Sequence, residues 1–558
     1  MREMIGKAVK YWHTLRYLKP EQIFGRLRYR LARPKPDFAP APPRRIATGQ
    51  WVQPAARRPS LTGPGAFQFL NLDGDLERVG WDGELREKLW RYNQHYFDDL
   101  NALEADERRE WHVQLIASWI AENPPAAGSG WEPYPVSLRI VNWTKWLCSG
   151  GYLDDAAWHS LAVQARWLTQ RLEHHLLGNH LFANAKALIF AGCLFEGREA
   201  DAWLKLGSDI LAIQLREQIL ADGGQFELSP MYHALAVEDV LDLINIVTCF
   251  GSALNRAQLQ QLAEWQLLVP NMLGWLRKMC HPDGEVAFFN DTAIGVAPSP
   301  VQLFAYATRL GVDAEERALP VSWLKDSGYA RLATDHAVLI ADVGRIGPNY
   351  LPAHAHADTL SFELSLNGTR VIVNSGTSVY GISAERIRQR GTEAHSTVMI
   401  DGLNSSEIWS GFRVARRAFP RDVSVSGDSK PLKVVAAHDG YARLKGAPIH
   451  SRSWALDNDC LMITDKLTGA GQHRVDIMLY LAPSVDAEHS PSGDIQLLHA
   501  DTRAPIATIH SEASMPIVIE PSTWHPQFGL SIDNKRLRIR LDVERPASHN
   551  TLIRWTSP

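Results

Sequence analysis

The amino-acid sequence predicts an α+β multidomain chain: a helical bundle or α/α toroid, followed by an antiparallel β-sandwich. Three observations carry this reading. Across residues 84 to about 318 the apolar residues recur with helical period, as in Leu161, Ala165, Leu168, Leu172 and Leu176, between short breaks such as "AENPPAAGSG" and "LADGGQ". After about residue 328 the period becomes two. At 558 residues the chain exceeds what one hydrophobic core organises, roughly 100–200 residues per domain.

Taken in order, residues 1–83 read as a basic helical segment and a Pro-rich arm, 84–322 as the helical domain and 323–558 as the sandwich. The first 36 residues hold ten Lys or Arg against two Glu. Ile5, Val9, Trp12, Leu15 and Leu18 fall at helical spacing, which suits a helix packed on the body of the protein or one that touches an anionic membrane surface. "RPKPDFAPAPPRR" reads as an extended arm across the surface. The many helices of similar length, "AVEDVLDLINIVTCFGSA" among them, show no fixed-period repeat, which argues against a regular solenoid. In the last third, "DTLSFELSL" alternates Leu360, Phe362, Leu364 and Leu366 with polar residues. "SWALDNDCLMITDKL" reads as a hairpin turning at Asn458-Asp459, and "HRVDIMLYLA" alternates Val475, Ile477, Leu479 and Leu481. The change of period falls within "ERALPVSWLKDSGYARL".

A formal net charge of -4 excludes a nucleic-acid binder that works by bulk basicity. Five scattered cysteines without a CxxC pair exclude a zinc ribbon and argue against a disulfide framework. No secretory signal and no apolar run of transmembrane length are visible, so the expected location is cytoplasmic. Nineteen Trp suit either sugar stacking or core filling.

"LPAHAHADTLSFELSLNG" places His354, His356 and Asp358 at alternate positions. The spacing resembles the first metal motif of the metallo-β-lactamase-like hydrolases, HxHxDH, but Thr359 stands where the last histidine belongs, and the motif lies in a β-only stretch. A polar surface loop is the plain alternative. A third reading draws on Asn374 and His395, each beside a strand further along, because two His and a side-chain oxygen suit tetrahedral zinc. In the helical part, Asn179-His180 opens a run of small and apolar residues, where Asn179 suits an N-cap, and Tyr232-His233 follows a Ser-Pro turn, where a Tyr is often packing.

Together "GNHLFANAKALIFAG", "ELSPMYH", "HAHADTLSFEL" and "AHSTVMIDG" resemble, in order and character, the heparinase II/III-like polysaccharide lyases and related alginate lyases, from about residue 84 to 480. The resemblance implies an α/α toroid (an incomplete helical barrel) followed by a β-sandwich, with a site in the cleft between them. It implies β-elimination on a uronic-acid-containing polysaccharide: loss of the C5 proton, expulsion of the 4-linked sugar and a 4,5-unsaturated uronate. Asn179, His180, Tyr232 and His354 would be catalytic, with Asn179 and a His relieving the carboxylate charge, Tyr232 the acid or also the base, and His354 or His180 the base. His356, Asn374 and His395 would hold one structural zinc, although the family pattern is Asp-Pro-Gly-Thr where this chain has Asn374-Ser375-Gly376-Thr377. Asp358 is expected to hold the loop backbone. Asn93, His95, Tyr96, Trp131, Tyr134, Arg139, Glu227, His233, Arg388 and Arg390 are the candidate substrate contacts, with Arg139 facing a carboxylate or pairing with Glu132.

The expected partner is therefore an acidic polysaccharide and not a nucleic acid. The basic N-terminus offers a peripheral contact with a membrane or with exopolysaccharide-assembly machinery. Family resemblance sets a periplasmic location against the cytoplasmic one. A uronyl C5-epimerase would use the same groups, and a non-catalytic glycan-binding protein could keep the fold.

Overall fold

A computed structural model describes residues 2–312, 319–427, 429–513, 515–544 and 546–556, so part of the segment containing the change of period, 313–318, lies outside the described residues. Helices run from Lys88–Tyr96 to Pro300–Arg309 and form an α/α toroid, and strands begin at Val321. Helix Gly178–Leu194 is the toroid's hub, buried over almost its whole length between Pro133–Cys148, Arg198–Gln218 and Pro230–Cys249. The caps follow the sequence. Asp154 accepts from Ala157 N, Ser229 accepts from Tyr232 N ahead of Pro230, and Asn255 and Gln258 form a reciprocal box. One helix is shorter than its apolar period implies: Asp155–Gln170 stops before Leu172 and Leu176. Asn184 Oδ1 accepts from Glu173 N there and holds the chain in a turn.

Among the described residues the sandwich has a nine-stranded and an eight-stranded antiparallel sheet. The first runs from Val518–Trp524 through Ile532–Val543, His473–Leu481, Thr369–Val373, Phe362–Leu366, Ala337–Asp342 and Tyr329–Ala333 to Val321–Leu324. The expected hairpin is present, with Leu456 opposite Leu461 across the Asn458-Asp459 turn. Apolar side chains of both sheets meet in one core around Phe362, Leu479, Trp454 and Ile553.

The N-terminal region is richer than a helix and an arm. Two helices, Arg2–Leu15 and Pro20–Leu31, are followed by a three-stranded sheet within residues 61–75, and the side chain of Ile5 lies outside the described residues. The arm is extended, and Arg166 donates to the carbonyls of Ala39 and Pro40. All five cysteines are free, and no described helix is long and apolar enough to cross a membrane.

Toroid and sandwich share a packed interface. Leu228, Trp275 and Phe289 meet Leu324, Tyr329 and Ile340 in one apolar cluster, and His281 of the toroid contacts Glu363 and Ser365 of the sheet at 3.0 and 2.8 Å. Strand Phe362–Leu366 is therefore buried on both faces, although its alternation suggests a half-exposed strand.

Candidate active site

Two consecutive left-handed residues, Leu177 (φ 64°) and Gly178 (φ 56°), set Asn179 and His180 at the start of helix Gly178–Leu194. A Cβ on Gly178 would lie 2.4 Å from a Leu351 methyl and 3.1 Å from Glu227 Oε1, so only glycine fits. Leu177 occupies the N-cap position, which removes the capping role for Asn179. The Asn179 amide is half-buried and has no side-chain partner among the described residues. His180 Nδ1 lies 3.1 Å from Glu173 Oε1, and Asn184 fixes Glu173 by donating to its Oε2 at 3.1 Å. The His180 ring rests 4.5 Å from Tyr134, whose ring meets Tyr96 edge-on at 6.0 Å. Burial opposes a charge on His180, but Glu173, supported by Glu227 and Glu132, outweighs it and raises the imidazole above its ordinary pKa.

Tyr232 sits in the first turn of helix Pro230–Cys249. Its ring centroid is 4.0 Å from that of His354, and its hydroxyl is 3.0 Å from that of Tyr380. Burial, then the neighbouring Tyr380, pushes the Tyr232 phenol well above its usual range, so it keeps its proton at neutral pH.

Asp291 joins the two domains beneath these groups. It is fully buried, takes both guanidinium nitrogens of Arg386 and meets His354 Nδ1 at 3.0 Å and His356 Nε2 at 2.8 Å. Although burial works against it, Arg386 and the two histidines hold this carboxyl well below the usual range. An ionised carboxylate only accepts, so both rings present N–H to it. In its neutral form His354 therefore has a bare Nε2, which faces Glu227 Oε2 at 3.5 Å, and that oxygen is buried without a hydrogen-bond partner. Asn290, next to Asp291, accepts from His356 N and donates to Leu228 O, each at 2.9 Å. The adjoining backbone is strained, with Leu228 and Asn290 both left-handed.

Behind His354, His356 Nδ1 and His395 Nε2 face one another at 3.0 Å. His356 Nε2 is committed to Asp291, and His395 Nδ1 donates to Gly391 O at 2.8 Å. In their neutral forms the two facing nitrogens are thus both bare. Burial lowers both imidazoles, His395 to about 4, so neither supplies a second proton at neutral pH. A carboxylate oxygen of Asp358 completes a group whose ligand atoms lie within 4.8 Å of one another. Tetrahedral zinc, with Zn–N of about 2.0–2.1 Å, needs nitrogens roughly 3.3 Å apart. The two nitrogens reach that spacing after a shift of a few tenths of an ångström, and the Asp358 oxygen, within 4.8 Å of both, is a third donor of the right chemistry.

Residues 67–305 match the heparinase II/III N-terminus model and residues 316–556 the model described as heparinase II/III-like, C-terminal. The chain belongs to the heparinase II/III-like family. It is 25% identical over 468 residues to a heparin-sulfate lyase of Bacteroides stercoris, covering 73% of this chain and 66% of that one. It is 26% identical over 383 residues to a heparin-sulfate lyase of Pedobacter heparinus, covering 61% and 56%. It thus spans about two thirds or less of these relatives. Heparinase III has the same fold, with TM-score 0.67 at 18% identity over 87% of this chain and 81% of that one. A Pedobacter heparinus heparan sulfate lyase aligns with TM-score 0.58 at 18% identity over 88% and 82%.

In this heparinase II/III-like chain, Tyr96, Tyr134 and His180 form one run of ring contacts with Asn179 next to His180 in the chain, and Tyr232, His354 and Glu227 form a second across toroid and sandwich. Other expected contacts are structural. The Asn374 amide is engaged in hydrogen bonds: it donates to Phe288 O and accepts from Ser396 N, each at 3.0 Å, and stitches toroid to sandwich. Asp358, expected to hold the loop backbone, accepts from Asn290 N at 3.1 Å and also has a carboxylate oxygen within 4.8 Å of the two facing histidine nitrogens. Arg139 neither faces the cleft nor pairs with Glu132; it is fully buried 3.7 Å over Trp119 and donates to Gln164 and two carbonyls. Trp131 and His95 are core, His95 accepting from Trp119 Nε1 at 3.0 Å. His233 is held by Gln225 N and Met272 O, and Asn93 donates to Leu89 O within its own helix. Arg390 is spent on the carbonyls of Ala355 and Gly411, and Arg388 on Glu385.

Sequence reasoning missed Asp291, Arg386, Tyr380 and Glu173. Asp291 had a signal: in "EVAFFNDTAIG" an acid follows an apolar run in a stretch with neither helical nor strand period. Arg386 stands in the same "AERIRQR" as the two arginines singled out instead, and only its position on helix Ala384–Gln389 separates it from them.

Proposed function

We propose that this protein is a polysaccharide lyase that cleaves a uronic-acid-containing polysaccharide by β-elimination, acting in the cleft between the domains. The observation that carries the reading is His354, whose Nδ1–H is committed to Asp291 while its ring lies 4.0 Å from that of Tyr232 and its Nε2 is left with no closer partner than Glu227 Oε2 at 3.5 Å. His354 Nε2 takes the C5 proton as base. The unpartnered amide of Asn179 and the imidazolium of His180 bind the uronate carboxylate and stabilise the negative charge that develops on it. The C4–O bond then breaks, C4 and C5 form the double bond, and the Tyr232 phenol protonates the departing oxygen. Its high pKa suits it to be the acid rather than the base. The proton gained by His354 faces Glu227, so the cation sits between two carboxylates.

A zinc ion held by His356, His395 and Asp358 would brace the loop that carries His354. It would supply structural charge, not chemistry at the substrate. The natural substrate on this reading is an exopolysaccharide or another acidic glycan, and the relatives' names support the acidic class.

The test is incubation with a panel of uronate polymers while following ultraviolet absorbance of the conjugated double bond. A rise with a matching polymer is expected. Solvent deuterium entering C5 without absorbance would make the protein an epimerase, and neither signal on any acidic polymer would overturn the reading.

A further inference from the structure

The N-terminal helix Pro20–Leu31 is docked the wrong way round for an ordinary surface helix, which buries its apolar face. Its inward residues are Gln22, Gly25 and Tyr29. Gln22 is 1% exposed and donates to Tyr350 O, a Cβ on Gly25 would already lie 2.9 Å from the His175 backbone, and the Tyr29 ring lies 4.3 Å from His175 and under Arg171. The opposite side carries Ile23, Phe24, Leu27 and Leu31, exposed by 54%, 69%, 57% and 69%. At 3.6 residues per turn these four occupy an arc of about 100°, with Arg28 and Arg30 at its two edges. The preceding helix adds to the same character. Arg2–Leu15 is held to strand pair Ile408–Trp409 and Arg413–Val414 by Thr14 and Tyr11, and leaves Trp12 66% and Leu15 50% exposed.

Charge selects the occupant. Arg26, Arg28 and Arg30 are exposed and have no carboxylate partner among the described residues, and partial burial, then crowding by Arg413 and Arg30, lowers the Arg26 pKa. Residues 1–36 carry ten basic residues against two acidic ones in a chain of net charge -4, so the body is acidic and the cationic charge is gathered on this segment. An apolar stripe edged by arginines, on an otherwise acidic molecule, matches an interface that is apolar just below an anionic surface.

We propose that helix Pro20–Leu31, with Trp12 and Leu15 beside it, docks the protein on an anionic lipid bilayer, its apolar row seated among the acyl chains and its arginines on the headgroups. Because the helix is fastened to the toroid and its predecessor to the sandwich, docking would hold both domains to the membrane without inserting a span.

The test is sedimentation of the full-length protein with vesicles of phosphatidylglycerol and phosphatidylcholine, and with phosphatidylcholine alone. Binding to the anionic vesicles at least about tenfold tighter than to the neutral ones is expected, weakening as salt rises. Phe24→Ser with Leu27→Ser should weaken it by at least about tenfold, and Arg28→Gln with Arg30→Gln should erase the preference for anionic lipid. These side chains project outward, so melting temperature and lyase activity on soluble polymer should stay at wild-type values. No binding to anionic vesicles, or equal binding by the Phe24/Leu27 variant, overturns the proposal. So does a concentration-dependent dimer that the same variant dissolves, because the face would then be an interface between copies of the chain.

Discussion

Replacing Asp291 by Asn tests the core of the proposed site. In the native protein the carboxylate accepts from His354 Nδ1, His356 Nε2 and both terminal nitrogens of Arg386. An amide offers one accepting oxygen and turns an NH2 group toward the remaining donors. Arg386, fully buried, loses its counter-charge, and breaking such a pair from one side costs about 3–5 kcal/mol. His354 loses the acceptor that keeps its proton on Nδ1, so the bare Nε2 is no longer secured. Loss of a positioned general base lowers turnover by roughly 10²- to 10⁴-fold. The carboxylate of the substrate would still meet Asn179 and His180, so kcat should collapse while KM changes little. The assay is initial-rate formation of unsaturated product on a polymer the wild type cleaves, well below the melting temperature of the variant. The stability difference has its own pH signature. Asp291 has a depressed folded pKa, so its contribution is present above the unfolded value of about 3.9 and is lost as pH falls toward the folded one. Wild type and variant should therefore differ fully at pH 5 to 8 and converge only in acid. A variant with kcat within tenfold of wild type, or one that raises KM at unchanged kcat, would refute the assignment of His354 as a base oriented by Asp291.

Three further outcomes are expected. Tyr232→Phe keeps the ring against His354 and should leave melting unchanged while lowering kcat by at least about 10²-fold; unaltered kcat would remove the phenol from the reaction. Glu173→Gln removes the main group that raises His180, so the alkaline limb of kcat/KM should move to lower pH as His180 loses its charge earlier, and an unmoved limb would dismiss His180 as the cationic donor. Elemental analysis should find about one zinc per chain, lost in Asp358→Ala but retained in Asn374→Ala, with chelation lowering the melting temperature; the reverse pattern would restore Asn374 as ligand.

The two architectures, and the segments that carry Asn179, Tyr232 and His354, were legible because each rests on a local pattern. Helical period gave way to alternation, the hairpin about Asn458-Asp459 obeyed its turn signal, and the motifs around Asn179, Tyr232 and His354 stood in family order. What was illegible depends on long-range contact. Glu363 and Ser365 look like the polar side of a half-exposed strand, yet His281 of the toroid covers them. Arg139 and His95 look like polar groups for a ligand, yet they complete a core of tilted and edge-on indoles around Trp119. Composition shows that a charge exists; only packing shows what it is spent on.

The Asn at position 374 illustrates the same point in the opposite direction. Read along the chain, it replaces an acid and so removes a negative charge from a cation site. In three dimensions its amide does something no carboxylate can: it donates to Phe288 O and accepts from Ser396 N in one plane, joining the toroid's loop to the sandwich. An Asp there would present a lone pair to the Phe288 carbonyl. Asp358, on the loop of His354 and His356, brings a carboxylate oxygen within 4.8 Å of the two histidine nitrogens and accepts from Asn290 N. Nearby Asp342 is pushed well above the usual carboxylate range, first by burial and then by the charge of Asp358, which disfavours a second negative charge there. The group thus presents two neutral imidazoles and one carboxylate, a balance that leaves a divalent cation with a net positive charge behind His354. Such a charge, transmitted through His356 to Asp291, would strengthen the grip on the very carboxylate that orients the base.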